Sequence, residues 1–411
     1  MFGLEQWGQA TTRFFAHHHS ATNLLMGGIL LFALTIQFIR KGLDLFKGYP
    51  VIGWLTIAFF IYAFASTQWA PRPDLSFNLW ASRWPYLVTM VLLCPLLITE
   101  ARDIRAANAG LALIGGSLAV LLLFFVKWES RRIVLDSELG NPLAIAAMAG
   151  LVVVILILTE PWSRSALWFP LKWAFVALAL ALIVRSGSRG QLLGVLVACL
   201  LCWPISRGLR NVKQFVVLAL VVLFIGVAIG WTMQEFWGKE VASGKGRWNE
   251  HSAQQDVSGR LDNAMLMVEL AAESPATFIF GLGNSAAYDH RILGIYPHFL
   301  PLEVLAEEGV FGFALYGIIF LLTLRSCYRG LQLSQGDSDL RMLLGGLLGM
   351  YLFTVILSLK QGSLLVNLEP FMLGIGLGRF EKVLARRNST IQSHPEVSSI
   401  SFGYLANQPT S

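Results

Sequence analysis

Four short polar motifs interrupt a very apolar sequence, and the first of them is suited to binding an anion. It reads Arg185-Ser-Gly-Ser-Arg189-Gly190-Gln191 and forms a tight turn between two apolar stretches. Charged residues at membrane depth are costly and usually functional, although arginines at helix ends often only extend to the membrane surface. Glycine turns expose backbone N–H groups, which can grip phosphate oxygens beside a guanidinium. Arg189 and Gly190 are therefore the first candidate anion ligands.

The second motif is a polar segment around Arg260. Ser258 is a good helix N-cap, and it predicts a helix that ends before Ser274-Pro275. An arginine in the first turn opposes the helix dipole, so Arg260 is either a solvated surface side chain or an anion ligand. Apolar residues at helical spacing predict a face that packs on the bundle or on the membrane surface: Leu261, Ala264, Met265, Val268 and Ala272.

The last two motifs lie close together in the sequence. Gly281-Leu282-Gly283-Asn284 is a weak turn signal, because turns use glycine everywhere. Tyr296-Pro297-His298 then leads into a long apolar helix with glutamates in its first turns. Histidine is the side chain best tuned for proton transfer near neutral pH, so His298 is the candidate general base.

Other polar residues near these motifs are candidates for supporting roles. Glu303, Glu307 and Glu308 could position the histidine or contact substrate hydroxyls, and at least one of Glu307 and Glu308 is expected to face solvent. Glu303 is also a candidate for lining a cleft, and four further residues are candidates with no better warrant than their placement: Arg185, Tyr288, Arg291 and Tyr296.

The composition predicts the elements that must position these motifs. Of 411 residues, 55% are hydrophobic and 14% are charged, and the formal net charge is +6; a soluble domain has about 25% charged residues. This excludes a disordered protein, a nucleic-acid-binding protein and an ordinary cytosolic enzyme, and indicates an all-α polytopic membrane protein. Apolar stretches predict eleven transmembrane helices, with a possible twelfth nearer the N-terminus: 23–39, 51–67, 84–99, 109–126, 143–159, 173–185, 190–205, 214–231, 299–325, 342–359 and 366–379.

The distribution of basic residues predicts the orientation of this bundle. One set of alternate loops holds 17 of the 31 Lys and Arg residues, against 9 in the other set once the long segment 232–298 is left out. The more basic loops face the cytoplasm. The predicted organisation is transmembrane helices over 1–231, one large outer loop with short helices over 232–298, transmembrane helices over 299–387 and a flexible cytoplasmic tail over 388–411.

The sequence predicts no metal site, no nucleotide cofactor and no disulfide. Asp337-Ser338-Asp339 has the spacing that some metal-dependent glycosyltransferases use, but it falls in a predicted cytoplasmic loop. No G-x-x-x-x-G-K-[ST] motif is present. Cys199-x-x-Cys202 lies inside a predicted spanning helix, where packing is the better explanation of two cysteines than redox chemistry.

Taken in order, the motifs resemble a known pattern. Ser-Arg-Gly, a loop-helix arginine, Gly-x-Gly and a histidine followed by a Leu-x-x-x-Ala-Glu-x-Gly-x-x-Gly helix resemble the O-antigen ligase family of bacterial envelope glycosyltransferases. The wider superfamily includes Wzy-type O-antigen polymerases. The resemblance in motifs covers residues 185–312. Family members often have asparagine after the histidine, whereas Phe299 follows His298 here, and this departure touches an auxiliary contact rather than the base.

The resemblance implies a GT-C-like fold, a reaction and its partners. Such ligases transfer a saccharide from undecaprenyl diphosphate to a sugar of lipid A–core, at the periplasmic face of the bacterial inner membrane. The implied transfer is metal-independent and inverts the anomeric centre. Arg189 and Arg260, with Gly190, would stabilise the leaving diphosphate, and His298 would act as the base. The implied partners are the lipid-linked donor, the lipid A–core acceptor and membrane lipid, with no nucleic acid.

Two other functions remain open. An O-antigen polymerase would use the same donor but a growing lipid-linked chain as acceptor. A lipid-linked oligosaccharide flippase belongs to another class, and it should carry charges along a central path through several helices. Here the conspicuous charges gather at one face and in one loop, which favours an enzyme.

Overall fold

A computed structural model describes residues 19–129, 132–135, 138–139, 142–162, 168–208, 216 and 250–393 of the chain. Thirteen α-helices occur in this part: α1 (His19–Lys41), α2 (Asp44–Lys47), α3 (Val51–Ser66), α4 (Pro73–Tyr86), α5 (Ala101–Phe124), α6 (Pro142–Leu158), α7 (Trp168–Arg185), α8 (Arg189–Arg207), α9 (Glu250–Ala272), α10 (Pro275–Phe280), α11 (Leu300–Leu333), α12 (Ser338–Ser358) and α13 (Glu369–Ser393). Three short strands, β1 (Trp128–Glu129), β2 (Arg132–Leu135) and β3 (Glu138–Leu139), form a small antiparallel sheet in the order β1-β2-β3 between α5 and α6.

The chain is an all-α polytopic membrane protein apart from this small sheet, as the composition predicts. Within the described residues, six helices are long and apolar enough to span a membrane: α3 with the 3-10 turn that follows it, α5, α7, α8, α11 and α12. α6 is strongly apolar but has only 17 residues. The predicted span 214–231 lies outside the described part except for residue 216. The count of eleven or twelve spans therefore stays a prediction.

The predicted spanning helix 84–99 is wrong in that form. α4 ends at Tyr86, and the chain continues as a π-helix over Leu87–Leu93 and a 3-10 helix over Cys94–Leu97. Pro85 and Pro95 lie in this stretch. Because proline has no N–H and its ring crowds the carbonyl four residues earlier, it interrupts the regular α-helical hydrogen bonds. Continuous hydrophobicity here does not produce a continuous α-helix.

Two hydrophobic clusters form the interior. The larger is built mainly from α5 to α8 with α12 and one side of α13. The second combines α3, α4, α11 and α13 with three leucines that precede α13: Leu364, Leu365 and Leu368. Residues 359–368, which we call the connector, link α12 to α13 and so pass from one cluster to the other. The connector therefore carries a short polar run, Lys360-Gln361-Gly362-Ser363, to the junction of the two clusters.

A kink in α11 holds the segment that precedes this helix. Gly309 has φ 66° and ψ −173°, far from helical values, and its positive φ favours glycine. The kink leaves two backbone carbonyls of the first turns available to other partners. Leu282 N–H donates to the carbonyl of Ala306 at 2.9 Å, and Gly283 N–H donates to that of Glu307 at 2.9 Å. The Gly-x-Gly turn is thus fastened to the start of α11.

The loop helix α9 begins earlier than the sequence predicts. It is described from Glu250, so Ser258 lies inside it and the predicted N-cap is wrong. The run from Glu250 to Asp256 contains neither glycine nor proline, so no strong helix breaker opposes these added turns. Ser274 caps the next helix instead, because its hydroxyl accepts from the N–H of Thr277 at 3.1 Å. Arg260 consequently lies near the middle of α9.

The buried face of α9 differs in part from the predicted one. Ala264, Met267 and Ala271 are buried, and Met267 and Ala271 belong to a third small cluster with Ala286, Ala287 and Ala306. Leu261 and Met265, predicted on the same face, are instead 47% and 45% exposed. At the other end of the chain, α13 continues to Ser393, so the first residues of the predicted tail are helical. Residues 394–411 lie outside the described part.

Candidate active site

The first motif forms the tight turn that the sequence predicts. α7 ends at Arg185 and α8 begins at Arg189, with three residues between them. Gly187 has φ +68°, a conformation that glycine adopts without strain. The hydroxyls of Ser186 and Ser188 bond to each other at 2.8 Å, and Ser186 also donates to the carbonyl of Ile183 at 2.7 Å. These bonds fix the turn that presents Arg189 at the first position of α8.

Lys360 of the connector covers this turn, and sequence reasoning missed it. Its side chain lies so close to Gly190 that a Cβ there would collide with the Lys360 Cδ, Cε and Nζ atoms. Lys360 Nζ donates to Gln191 Oε1 at 2.8 Å, and Gln191 Nε2 donates to Gln361 Oε1 at 2.7 Å. Gln191 is fully buried. The predicted glycine therefore has a specific use, because it makes room for a second cation beside the arginine turn.

Arg260 reaches the connector from α9. Its Nη1 atom donates to the backbone carbonyl of Lys360 at 2.9 Å. No ion pair to Arg260 occurs among the residues that the structure describes. A backbone carbonyl orients a guanidinium but leaves its positive charge uncompensated. The structure thus brings Arg260 and Gly190 together through one residue, Lys360.

His298 lies just before α11 and packs against one tyrosine, which in turn lies near a second. Its ring centroid lies 4.1 Å from that of Tyr296, which lies 6.2 Å from that of Tyr288. The backbone of His298 has φ 64°, a left-handed conformation that costs a residue other than glycine about 1–2 kcal/mol. Such strain concentrates at functional sites. The half-buried imidazole is therefore held in one place by its backbone and by its ring contact.

The charges of neighbouring groups connect the histidine side of the site with Arg260. Burial raises the pKa of Tyr296, the positive charge of Arg260 acts in the opposite direction, and the Glu303 carboxyl raises it again. Burial is also the main cause that raises the pKa of Tyr288 to about 12. Both phenols stay protonated at neutral pH, so each can donate a hydrogen bond.

The connector also contacts the histidine side of the site. Tyr288 Oη donates to Ser363 Oγ at 3.3 Å, and the N–H of Leu364 donates to Glu303 Oε1 at 2.9 Å. Glu303 is only 2% exposed, and its second oxygen is buried without a hydrogen-bond partner among the described residues. Connector residues between positions 360 and 364 therefore contact α8, α9, the 281–299 loop and α11.

Glu307 and Glu308 are both buried, so the prediction that at least one faces solvent is wrong. Glu307 accepts from the N–H groups of Ser285 at 2.7 Å and Ala287 at 3.0 Å. Glu308 accepts from Asn284 Nδ2 at 2.8 Å. Turn amides that are buried need acceptors, and the kink at Gly309 allows the loop to approach these carboxyl groups. Their observed role is to fix the loop that carries Tyr288.

Two predicted cleft residues lie apart from this assembly. The Arg185 guanidinium sits over the ring of Trp128, 5.1 Å from its centroid. The side chain of Arg291 is 67% exposed and pairs with Asp289, with an Nη2–Oδ2 distance of 2.6 Å. The guanidinium of Arg291 lowers the pKa of Asp289 to about 2. These contacts direct both arginines to partners other than the connector.

The Asp337-Ser338-Asp339 motif has structural partners. Asp337 accepts from the N–H groups of Asp339 and Leu340 at 3.1 Å, and so caps α12. Its second oxygen pairs with Arg387 at 3.0 Å, and Asp339 pairs with Arg105 at 3.0 Å. In the described ranges, no group of three or more His, Cys, Asp or Glu residues could hold a metal ion. All four cysteines are free.

The sequence contains a modest signal for the missed connector. A lysine closes the apolar stretch of α12, and Gln361-Gly362-Ser363 interrupts two apolar runs. Gly362 has φ +77°, and the turn that it makes brings Lys360 and Ser363 to different neighbours. Chemically, the assembly offers cationic and backbone donors on one side and an imidazole with two phenols on the other. That combination suits displacement of an anionic leaving group by a hydroxyl.

Comparison with known proteins supports the predicted resemblance. Residues 173–317 match the family model Wzy_C, described as O-antigen ligase, which confirms the O-antigen ligase family resemblance. The matched segment contains Arg189, Arg260 and His298, whereas Lys360 lies beyond it. No curated protein matches the chain. One similar solved structure, from work titled "Structural coordination of polymerization and crosslinking by a peptidoglycan synthase complex", covers 82% of this chain and 98% of its own, with 15% identity and a TM-score of 0.46.

Proposed function

We propose that this chain is an O-antigen ligase, which transfers O-antigen polysaccharide from undecaprenyl diphosphate to a sugar of lipid A–core. The observation that carries the proposal is the meeting of Arg260 and the Gly190 turn at Lys360. The charge of Arg260 also acts on Tyr296, whose ring contacts His298. The match of residues 173–317 to the O-antigen ligase model supports the same family of reactions. An O-antigen polymerase remains the second candidate, because the same model match accommodates it.

The cationic side of the site suits the leaving group. As the bond between the anomeric carbon and the phosphate oxygen breaks, negative charge grows on the diphosphate. Fixed charge-assisted hydrogen bonds can stabilise this charge without a metal ion, and arginine offers donors with the right fork geometry. Arg260, Arg189 and the adjacent backbone of Gly190 would supply these donors. Lys360, held 2.8 Å from Gln191 Oε1, adds a further cation.

The histidine side suits activation of the acceptor. An acceptor hydroxyl forms the new bond to the anomeric carbon, its proton passes to the His298 imidazole, and undecaprenyl diphosphate leaves with the electron pair of the broken bond. Attack from the face opposite the leaving group inverts the anomeric centre.

We place this site at the periplasmic face of the bacterial inner membrane. The more basic set of loops predicts the cytoplasmic side, and the 250–298 segment and the connector belong to the other side. A periplasmic site suits a reaction whose energy is already stored in the lipid-linked donor. The donor lipid would approach through the membrane, and the acceptor lipid from its outer leaflet.

A transfer assay with purified components tests the proposal. Detergent-solubilised full chain is mixed with lipid-linked O-antigen and lipid A–core, and the joined product is measured. General-base catalysis contributes about 10²–10⁴ in rate, so His298→Ala should lower the transfer rate by about that factor. His290→Ala removes an exposed histidine from the same loop and should leave the rate unchanged. Transfer at the wild-type rate by a folded His298→Ala protein would refute the base assignment.

A deletion strain distinguishes the competing functions. Loss of a ligase should leave full-length polymer on undecaprenyl diphosphate and bare core on lipid A. Loss of a polymerase should instead leave core that carries a single repeat unit. A flippase would form no joined product in the purified assay, because it moves the lipid-linked saccharide without making or breaking a glycosidic bond.

A further inference from the structure

A second group of basic residues lines a cavity far from the candidate active site. Arg386 follows Glu369 by almost five turns of α13, about 25 Å at 1.5 Å per residue, so this cavity lies toward the other end of the bundle. It has a volume of about 290 Å³, near the lower end of the about 300–1,000 Å³ that small-molecule sites occupy. Its charged lining residues are Arg40, Lys41, Arg379, Lys382, Arg386 and one acid, Asp44.

Arg379 is a buried residue of this cavity that has an unused hydrogen-bond donor. It is 4% exposed, and its Nε donates to the carbonyl of Ile98 at 3.0 Å. Its Nη1 atom is buried and has no hydrogen-bond partner among the described residues. A Cβ on Gly48 would lie 2.8 Å from this atom, so glycine is what leaves room for the guanidinium. A buried donor without an acceptor is costly, and an anion in the cavity would supply the acceptor.

Among the charged residues that line the cavity around Arg379, the basic side chains outnumber the acidic one. Asp44 is already paired with Lys47 at 2.6 Å. Lys382 Nζ donates to the carbonyl of Tyr49 at 2.9 Å, a neutral acceptor. Burial, followed by the charges of Arg386 and Arg379, lowers the pKa of Lys382, and the Glu381 carboxylate acts in the opposite direction without reversing the shift. Repulsion among these cations would be relieved by a bound anion.

Exposed apolar side chains adjoin the basic lining residues in the chain. Phe38 and Ile39 directly precede Arg40 and Lys41, and they are 46% and 76% exposed. Leu43 and Phe46 flank Asp44 and are 71% and 46% exposed. A cation cluster next to an apolar surface matches a lipid, whose phosphate and chains are joined in one molecule.

We propose that this cavity binds the phosphate group of an anionic ligand, and the adjoining apolar surface favours a phospholipid headgroup as its source. The Nη1 atom of Arg379 would donate to a phosphate oxygen, while Lys382 and the more exposed Arg40 and Arg386 would complete the charge. The proposal is independent of the transfer reaction, since none of these residues belongs to the candidate active site.

Lipid binding by the detergent-solubilised full chain tests the proposal. Native mass spectrometry would measure the affinity for phosphatidylglycerol, for zwitterionic phosphatidylcholine with the same acyl chains, and for inorganic phosphate. Arg40→Gln/Arg386→Gln changes two exposed side chains and should weaken phosphatidylglycerol binding at least tenfold. Arg102→Gln/Arg387→Gln removes the same charge from exposed sites outside the cavity and should change the affinity by less than twofold.

The three probes separate the possible sources of the phosphate. If the wild-type chain prefers phosphatidylglycerol, and the cavity variant loses this preference while the control variant keeps it, the ligand is a lipid headgroup. Binding of inorganic phosphate that only the cavity variant loses, without a preference between the lipids, supports the phosphate site and assigns it to a soluble compound. Equal binding of both lipids, together with phosphate affinity that the cavity variant leaves unchanged, would overturn the proposal. If the cavity variant fails to fold, inorganic phosphate must displace phosphatidylglycerol from the wild-type chain, and failure to do so would also overturn it.

Discussion

The candidate site contains two kinds of charged group that are held in opposite ways. The carboxyl groups of Glu303, Glu307 and Glu308 are buried and accept hydrogen bonds from backbone or amide N–H donors. The cations Arg260 and Lys360 are only partly buried, and they donate to a backbone carbonyl and to an amide oxygen. Acids here fasten loops to a helix, whereas cations are oriented by neutral acceptors.

This difference separates residues that build the site from residues that can act on a ligand. A carboxylate that satisfies buried turn amides cannot be lost without leaving those amides unpaired. A guanidinium oriented by a carbonyl keeps its net charge for an anion. We therefore expect substitutions of the acids to change stability first, and substitutions of the cations to change transfer first.

Among the acids and cations of this comparison, the largest effect is expected for Arg260→Ala. Removing one preorganised donor to developing charge costs about 10²–10³ in rate, so the transfer rate should fall by about that factor while the melting temperature stays near that of the wild type. Arg260→Lys keeps the charge but loses the fork geometry and should recover only part of the rate. The measurement is transfer against donor concentration, with a thermal melt of each variant. Unchanged rates across the donor titration would contradict a role at the phosphate.

For Glu307→Gln, by contrast, we expect a large change in stability rather than in the transfer rate. Glutamine can accept from only one of the two N–H groups of Ser285 and Ala287, and its own NH₂ then faces the other donor. The free energy of unfolding should fall by about 1–3 kcal/mol, measured as a lower melting temperature. Glu269→Gln, at an exposed position of α9, is the matched control and should leave the melting temperature unchanged. If Glu307→Gln melted at the same temperature as Glu269→Gln, Glu307 would not stabilise the loop, and the proposed difference between the acids and the cations would be wrong.

Gly190→Ala sharpens the comparison, because it should lower transfer more clearly than it changes stability. Its Cβ would push the Lys360 ammonium away from the buried Gln191 Oε1, a loss of about 1–3 kcal/mol that is partly offset because alanine is favoured over glycine in a helix by about 0.5–1 kcal/mol. The transfer rate should fall about tenfold, equivalent to about 1.4 kcal/mol. Gly110→Ala, in α5 with nothing near its added Cβ, controls for the helix effect. If Gly190→Ala and Gly110→Ala were equally active, the position of the Lys360 ammonium would not matter for transfer.

The sequence predicts the cationic and histidine residues of the site better than the buried acids. Apolar stretches locate most of the helices, because long apolar runs have few other folds in a membrane. The arginine turn and the histidine are visible as polar residues at the ends of such stretches. The buried roles of Glu307 and Glu308 are not visible, because they depend on the kink at Gly309. At the kink, the backbone of Ile279 and Gly281 lies against Gly309, which brings the 281–299 loop to these carboxyl groups.

Lys360 and the position of Arg260 were beyond sequence reasoning for a different reason. Lys360 is 100 residues from Arg260 and 169 from Gln191, and no local pattern reports a contact of that range. Ser258 has the chemistry of an N-cap, but serine is also tolerated inside a helix when the flanking residues favour one.

The smallest effect is expected for Arg291→Gln, whose pair with Asp289 lies at the edge of the loop. The pKa of Asp289 is lowered to about 2, below the about 3.9 of an unfolded chain. The stabilisation is therefore complete above about pH 4 and is lost as the pH falls through about 2. Arg291→Gln should lower the melting temperature by less than Glu307→Gln does, with a constant gap to wild type from pH 8 to pH 5 and a narrower gap at pH 3.5. Arg72→Gln, which breaks the exposed pair with Asp74, controls for loss of a surface cation. If the difference in melting temperature between Arg291→Gln and the wild type disappeared between pH 8 and pH 5, the partner of Arg291 would be a group other than Asp289. The set of acids that hold this loop would then be incomplete.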